Sequence, residues 1–444
     1  MRAPILPRLI VALTILLAPQ TLWAQQVPSP PGAIGGLFGG RRPLTDPSRA
    51  SSRWTVTFLG SGGVDQEPVE LGLGDAQAPS VSGNAATISA STRFTRGRPG
   101  RQLEMNADGF LNRQELQTGQ MRGASGRIQG QYDPNRRLGV TGMASVSYQP
   151  LMIGQPVLTG GPASVAPADS LGPPPGVEEE LWISTTGTAT ITRGWTPRQR
   201  LELNYTDYRS QPVQGAGLNS RSVIASAREV WDATPRFQLR VGYNYEETTQ
   251  DGGGIAAAPT KIQSVNLGFD FERPMGPSRS LRFIVESGAD FAEAHPALDA
   301  PVEQSVMPSV AGSVEWQFSQ RWTVSVGGSH EATVLPGITP APFTTDQASL
   351  QVSGTIVERL TLSMFGSFSK GTTLEGQEGS YRASTATAQI NYGLSRCCAM
   401  FTSFNYYDHR LQDLSNAATG IPGSYARYTA RVGFSYWLPL YGTF

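Results

Sequence analysis

Val306-Met307-Pro308-Ser309-Val310-Ala311-Gly312-Ser313-Val314-Glu315-Trp316-Gln317-Phe318 reads with a period of two. One parity holds Val306, Pro308, Val310, Gly312, Val314, Trp316 and Phe318, and the other holds Met307, Ser309, Ala311, Ser313, Glu315 and Gln317. A helix would spread both sets round its cylinder, whereas a strand sorts them onto two faces. The stretch is therefore a strand with one apolar and one polar side.

The same rhythm recurs on both sides of it. Phe237, Leu239, Val241, Tyr243 and Tyr245 alternate with Gln238, Arg240, Gly242, Asn244 and Glu246, and Leu360, Leu362, Met364, Gly366 and Phe368 alternate with Thr361, Ser363, Phe365, Ser367 and Ser369. From Trp54 onward there are about 18 such runs, most at least as long as the 9 to 11 residues of a tilted membrane-crossing strand. Short turns at 96–102, 133–137, 194–200, 232–236, 273–280, 319–322, 357–360 and 395–397 alternate with longer polar stretches such as 247–260, 330–346 and 409–424. Short turns at one end and long loops at the other predict an all-β transmembrane barrel, antiparallel and up-and-down, with the turns periplasmic and the loops external. A propeller, which also repeats at about 40 to 50 residues, is disfavoured by this asymmetry and by the polar second face.

The remaining sequence narrows the setting. Arg2 and Arg8, the apolar run 9–18 and the small Ala24 predict a secretory signal peptide over residues 1–24. Residues 25–52, with Pro28, Pro30, Pro31 and glycines from Gly35 to Gly40, are predicted to form a disordered periplasmic tail, a lumenal plug being the alternative. The barrel is then 53–444. No later segment approaches the roughly 18 consecutive apolar residues of a membrane helix. Basic and acidic residues number 35 each, so no excess of charge points to nucleic acid. Cys397 and Cys398 are adjacent, with Cα atoms about 3.8 Å apart, below the usual disulfide separation. Neither a disulfide framework nor a metal site is expected, and no cofactor is implied.

Alternation also assigns faces. Arg93, Arg127, Arg427 and Arg431 fall on the inner parity of neighbouring strands as a basic wall. Glu246, Asp270, Glu272, Glu286, Asp290 and Glu315 fall on the inner parity about half a circumference away as an acidic wall, with Arg240 and Arg282 intruding there and Glu104 and Asp108 on the basic side. The connection 151–180, rich in proline and ending in Glu178, Glu179 and Glu180, is expected to narrow the pore. Small residues on the outer parity of the second to fifth strands, among them Ala90, Ala107, Gly126 and Ala144, suggest a homo-oligomer contact. Of the three histidines, His295 is expected in an external loop, His330 on the lipid-facing parity and His409 at the external end of its strand. None belongs to an H-E-x-x-H motif, and no G-x-S-x-G is present, so an enzyme is not expected.

The chain ends Val432, Phe434, Tyr436, Leu438, Leu440, Gly442, Phe444 on one parity. With the strand ladder and the leader, this resembles Gram-negative outer-membrane β-barrels of the porin type. The resemblance implies that Phe434, Tyr436, Leu438, Leu440 and Phe444 form the signal read by the barrel-insertion machinery. It also implies outer-membrane lipid and lipopolysaccharide as surroundings, and a channel for passive passage of hydrophilic solutes. An export barrel for a secreted exopolysaccharide is the alternative, and a barrel hydrolase a further one.

Overall fold

Eighteen strands close one sheet. In a computed structural model they are β1 (Ser51–Glu67), β2 (Val81–Arg98), β3 (Arg101–Gln114), β4 (Gln120–Asn135), β5 (Leu138–Leu151) and β6 (Val177–Thr196). There follow β7 (Gln199–Pro212), β8 (Asn219–Thr234), β9 (Phe237–Asp251), β10 (Thr260–Gly276), β11 (Arg279–Ala294) and β12 (Glu303–Ser319). The last six are β13 (Trp322–Leu335), β14 (Thr339–Val357), β15 (Leu360–Thr373), β16 (Ser380–Gly393), β17 (Cys398–Gln412) and β18 (Ser424–Thr443). The described residues are these strands and part of their connections; residues 1–50, 68–80, 99–100, 115–119, 136, 152–176, 214–218, 252–258, 277, 295–302, 336–338, 375–378, 396, 413–423 and 444 lie outside them. The expected signal peptide and His295 fall there.

Each strand pairs antiparallel with its sequence neighbours, and β1 pairs with both β2 and β18, from Ser52↔Thr443 to Gln66↔Tyr428. Closure pairs the strands all round the ring, and with it their backbone donors and acceptors, a condition for crossing hydrocarbon; the exception is the stretch beyond Val310 and His330, where β12 and β13 part. Two residues separate the strands joined after β2, β4, β6, β8, β10, β12 and β14, and four separate β16 from β17. At the turns, Thr196 and Thr234 accept the amide N–H of Arg198 and Arg236 through their hydroxyls, both at 3.2 Å, and Asn135 accepts that of Arg137 at 2.8 Å. These short polar side chains stop the strand by satisfying the first donor that the ladder leaves over.

The outer parity is apolar and uncovered. Ile88, Leu267 and Val306 are 63–68% exposed, values that water would not tolerate over a whole sheet face and that hydrocarbon would. At the turn end, Trp54, Tyr132, Trp195, Trp231, Trp316, Tyr392 and Tyr436 form an outward aromatic girdle. Phe434 and Leu438 face the same way, while Arg427, Arg431 and Ser435 on the opposite parity are buried. The small residues of β2–β5 are interrupted by the exposed Ile88, Ile128, Val140 and Val146.

Several expected boundaries move. Residues 51–52 belong to β1 rather than to the tail, and Leu151 and residues 177–180 belong to β5 and β6, so the connection expected over 151–180 is 152–176. The long loop expected over 330–346 is a hairpin whose connection is only 336–338, since His330 pairs with Asp346 in the ladder. Polar residues at strand ends misled the reading, because a strand needs an apolar parity only where it faces hydrocarbon.

The register yields a direct expectation. Leu350 lies on the outer face midway along β14, with Gln351 beside it on the inner one. Leu350→Arg should lower stability by about 2 to 4 kcal/mol and Gln351→Arg by under about 1 kcal/mol, read from urea unfolding in lipid. Equal losses would refute the register.

Candidate functional site: the inner wall and an infolded hairpin

The inner faces of β8–β11 carry a compact ion-pair network. Arg240 lies against Asp270 through a short Nη2–Oδ2 contact, with Glu286 at 3.8 Å on its other side. Arg282 donates to the same Asp270 through Nε at 3.0 Å and Nη2 at 2.6 Å, and Arg228 reaches Glu286 at 3.5 Å. Asp270, Glu286 and Arg240 are each under a tenth exposed. Charges this far from water need partners, and the register supplies them by setting Gly268 opposite Arg240 and Glu286 so that two long side chains share one gap.

The expected acidic wall is therefore largely neutralised at Asp270 and Glu286. Three arginines answer Asp270 and Glu286, so Arg240 and Arg282 are part of the structure and not intrusions upon it. Glu246 accepts hydroxyl bonds from Ser222 at 3.2 Å and Thr248 at 3.3 Å. Glu315 is half-buried and Glu272 is exposed near the turn end. The basic parity is also paired in part, Arg93 meeting Glu104 at 3.0 Å and Arg127 donating to Gln129 at 2.8 Å. Asp108 accepts from Ser125. Arg427 and Arg431 are 2% exposed, and β18 and β2 stand across the ring from β10–β11. Arg228, which the sequence reading passed over, shares the inner parity of β8 with Ser222; its place opposite Glu202 in the ladder was its only signal.

The β13–β14 hairpin breaks the regular wall. The β12–β13 ladder ends at Val310↔His330, although β12 and β13 both continue, while β13–β14 pairing persists to Leu335↔Thr339. Beyond His330 the hairpin turns inward and lies over β10–β12. The Ala332 amide N–H donates at 2.9 Å to Asp290 Oδ2 of β11, and Ala332 and Val334 pack with Ile262, Ala292 and Met307, all of inner parity, and with Leu374. On its other side Thr345 bonds Thr333 at 2.6 Å and the Tyr381 hydroxyl at 2.9 Å, and Phe343 meets the Tyr381 ring edge-on at 5.4 Å between centroids. Tyr381 lies against β15 because Gly371 leaves room, a Cβ there falling 2.2 Å from its ring. Burial of Val334 and Phe343, each worth about 1.5–3 kcal/mol, offsets the lost ladder bonds.

This hairpin, within the barrel, stands where the sequence reading expected the connection before β6 to act. Residues 152–176 lie outside the described residues, as do the side chains of Glu178, Glu179, Glu180 and Leu440. Asp290, assigned to the acidic wall, instead holds the hairpin. His409 is fully buried on the inner face of β17, its ring 5.6 Å from that of Tyr407, and His330 faces outward with Asp346 at 2.7 Å. Among the described residues no group of three or more His, Cys, Asp or Glu is placed to hold a metal ion.

No protein-family profile matches the chain, and no curated protein matches its sequence. Among solved structures the chain is similar to OpdQ of Pseudomonas aeruginosa, at 10% identity and a TM-score of 0.43 over 88% of this chain and 98% of that one. It is similar to OccAB2 of Acinetobacter baumannii, at 10% identity and a TM-score of 0.44 over 88% and 98%. It is also similar to OprD of Pseudomonas aeruginosa, at 11% identity and a TM-score of 0.41 over 88% and 96%.

Proposed function

We propose that the protein is an outer-membrane pore for passive passage of hydrophilic solutes. The observation that carries this is the division of one closed sheet into an uncovered apolar exterior and an inner face of arginine, carboxylate and hydroxyl groups. An interior built only for stability would be filled with apolar side chains, which cost nothing to desolvate. At this strand number a barrel has room for an aqueous path. The predicted leader and the C-terminal alternation of Phe434, Tyr436 and Leu438 support export and insertion into the outer membrane.

Ion selectivity is expected to follow the inner wall. Among the described side chains, Glu272 and Glu315 are the inner-parity acids of β10 and β12 with solvent access, so neutralising both should move the reversal potential in a potassium chloride gradient toward anions. Planar-bilayer recording of the purified protein tests both statements. Steady ohmic current is expected, and its absence in inserted barrels would overturn the pore reading.

A further inference from the structure

The two ends of the barrel carry opposite charge. The eight short connections and their flanking residues, at 98–101, 135–138, 196–199, 234–237, 276–279, 319–322, 357–360 and 393–398, hold ten arginines and one acid, Glu358. The connections at the other end, 68–80, 115–119, 152–176, 213–218, 252–259, 295–302, 336–338, 374–379 and 413–423, hold eight acidic residues and neither lysine nor arginine. The charges of the connections are thus divided by sign between the two ends.

Five of the arginines repeat one position, immediately before the first residue of a rising strand: Arg137, Arg198, Arg236, Arg321 and Arg359. In each, the backbone carbonyl accepts an N–H from the second strand along, from Gly194, Asp232, Glu272, Thr355 and Gly393 at 2.6–2.9 Å. That bond is made by the main chain and would form with almost any residue, so the turn geometry does not explain why arginine recurs. The strand residue after each faces outward, so alternation sets the arginine on the lumenal side, and all five are solvent-exposed. Among the described residues no carboxylate lies within 4.0 Å of any of the five. Consecutive turns are two strands apart, about 10 Å, close to the screening length at physiological salt. Neighbouring fields therefore overlap, and the low-dielectric wall concentrates them over the opening.

We propose that the turn end of the barrel is an anion-collecting mouth, where Arg137, Arg198, Arg236, Arg321 and Arg359 draw soluble carboxylate- or phosphate-bearing solutes to the pore. The proposal deepens the pore reading and rests on it for transport, though not for binding. The collar gathers by charge and does not grip one ligand, because its guanidiniums are too far apart to share a small anion. Its attraction should accordingly fade as salt rises.

Inositol hexakisphosphate added to either chamber of a planar bilayer holding barrels of one orientation tests it. The concentration for half-block should be roughly tenfold lower on the turn side at 0.1 M salt, and the two sides should agree at 1 M. The R137Q/R198Q/R236Q/R321Q/R359Q variant should lose the difference, and R209Q/R221Q, an outer-wall pair held by Asp207, should keep it. A conducting wild type without sidedness, or a quintuple variant that retains it, overturns the proposal. Should the quintuple variant fail to insert, R137Q/R198Q and R236Q/R321Q/R359Q should each lose part of the difference, and full retention in both overturns it. Should the wild type conduct nothing, the pore reading falls, and binding of the trisulfonate dye pyranine to the detergent-solubilised barrel decides the collar. Binding about tenfold weaker in the quintuple variant supports it; equal binding overturns it. Displacement of the dye by phosphatidylglycerol micelles but not by free inositol hexakisphosphate would make the arginines headgroup ligands and also overturn it.

Discussion

Asp270→Asn is expected to destabilise the barrel by about 3 kcal/mol, the low end of the cost of removing one partner from a buried charge cluster. Asp270 is 4% exposed and serves two guanidiniums, so its neutralisation leaves Arg240 with Glu286 at 3.8 Å as its remaining carboxylate. Arg282 suffers less, since its side chain is 41% exposed and water can solvate it. The low end is chosen because Glu286 stays in place. Arg240→Gln in the Asp270→Asn background should recover more than half of the loss, since the uncompensated charge is then gone. Urea unfolding of the refolded protein in lipid measures all three variants. A loss under about 1 kcal/mol for Asp270→Asn would mean that water reaches the network and screens it.

Excising the infolded part of the β13–β14 hairpin is the second change of large effect, and its readout is conductance. Two strands about 4.8 Å apart and a sheet about 10 Å thick occupy on the order of 100 Å². A ring of 18 tilted strands encloses on the order of 1,000 Å² between backbone walls, and inward side chains fill about half of it, leaving roughly 500 Å². Joining Glu331 to Thr345, which face each other in the ladder, through Asn-Gly should therefore raise single-channel conductance by at least about a fifth, and by about twofold if the hairpin marks the narrowest section. Asp290→Ala provides a milder version, since it removes the carboxylate that holds the Ala332 amide without shortening the chain. Its expected result is noisier current with excursions to a higher level. Unchanged conductance in the excised protein would place the limiting section elsewhere on the axis.

These two sites differ in how far the linear sequence reveals them. Inner placement of Asp270, Glu286 and Arg240 follows from alternation alone, because neighbouring side chains on a strand must point to opposite faces. Which arginine meets which carboxylate does not follow, since it depends on stagger across four strands; Arg228 and Glu286 are 58 residues apart. The turns were legible from their short polar residues. The strand count followed from them, and with it the barrel, as a sheet with one apolar face that water cannot touch must close on itself.

The infolded hairpin was not legible, for a reason of solvent equivalence. Ala332 and Val334 sit on the same parity as Val324 and Val326, and hydrocarbon and a packed apolar interior accept such side chains about equally. The sequence reading places 330–346 in an external loop, and even the parity leaves open whether lipid or protein covers these side chains. The decision is made by tertiary contacts: an inner face bearing Ile262, Ala292 and Met307, an Asp290 carboxylate in reach of the Ala332 N–H, and a Gly371 that makes room for Tyr381. Sequence by itself thus determined the strand ladder and its two faces, because these depend on neighbours along the chain. Tertiary structure alone decided the ion pairs and the path of β13–β14 inside the barrel, because both depend on groups from distant strands arriving at one place.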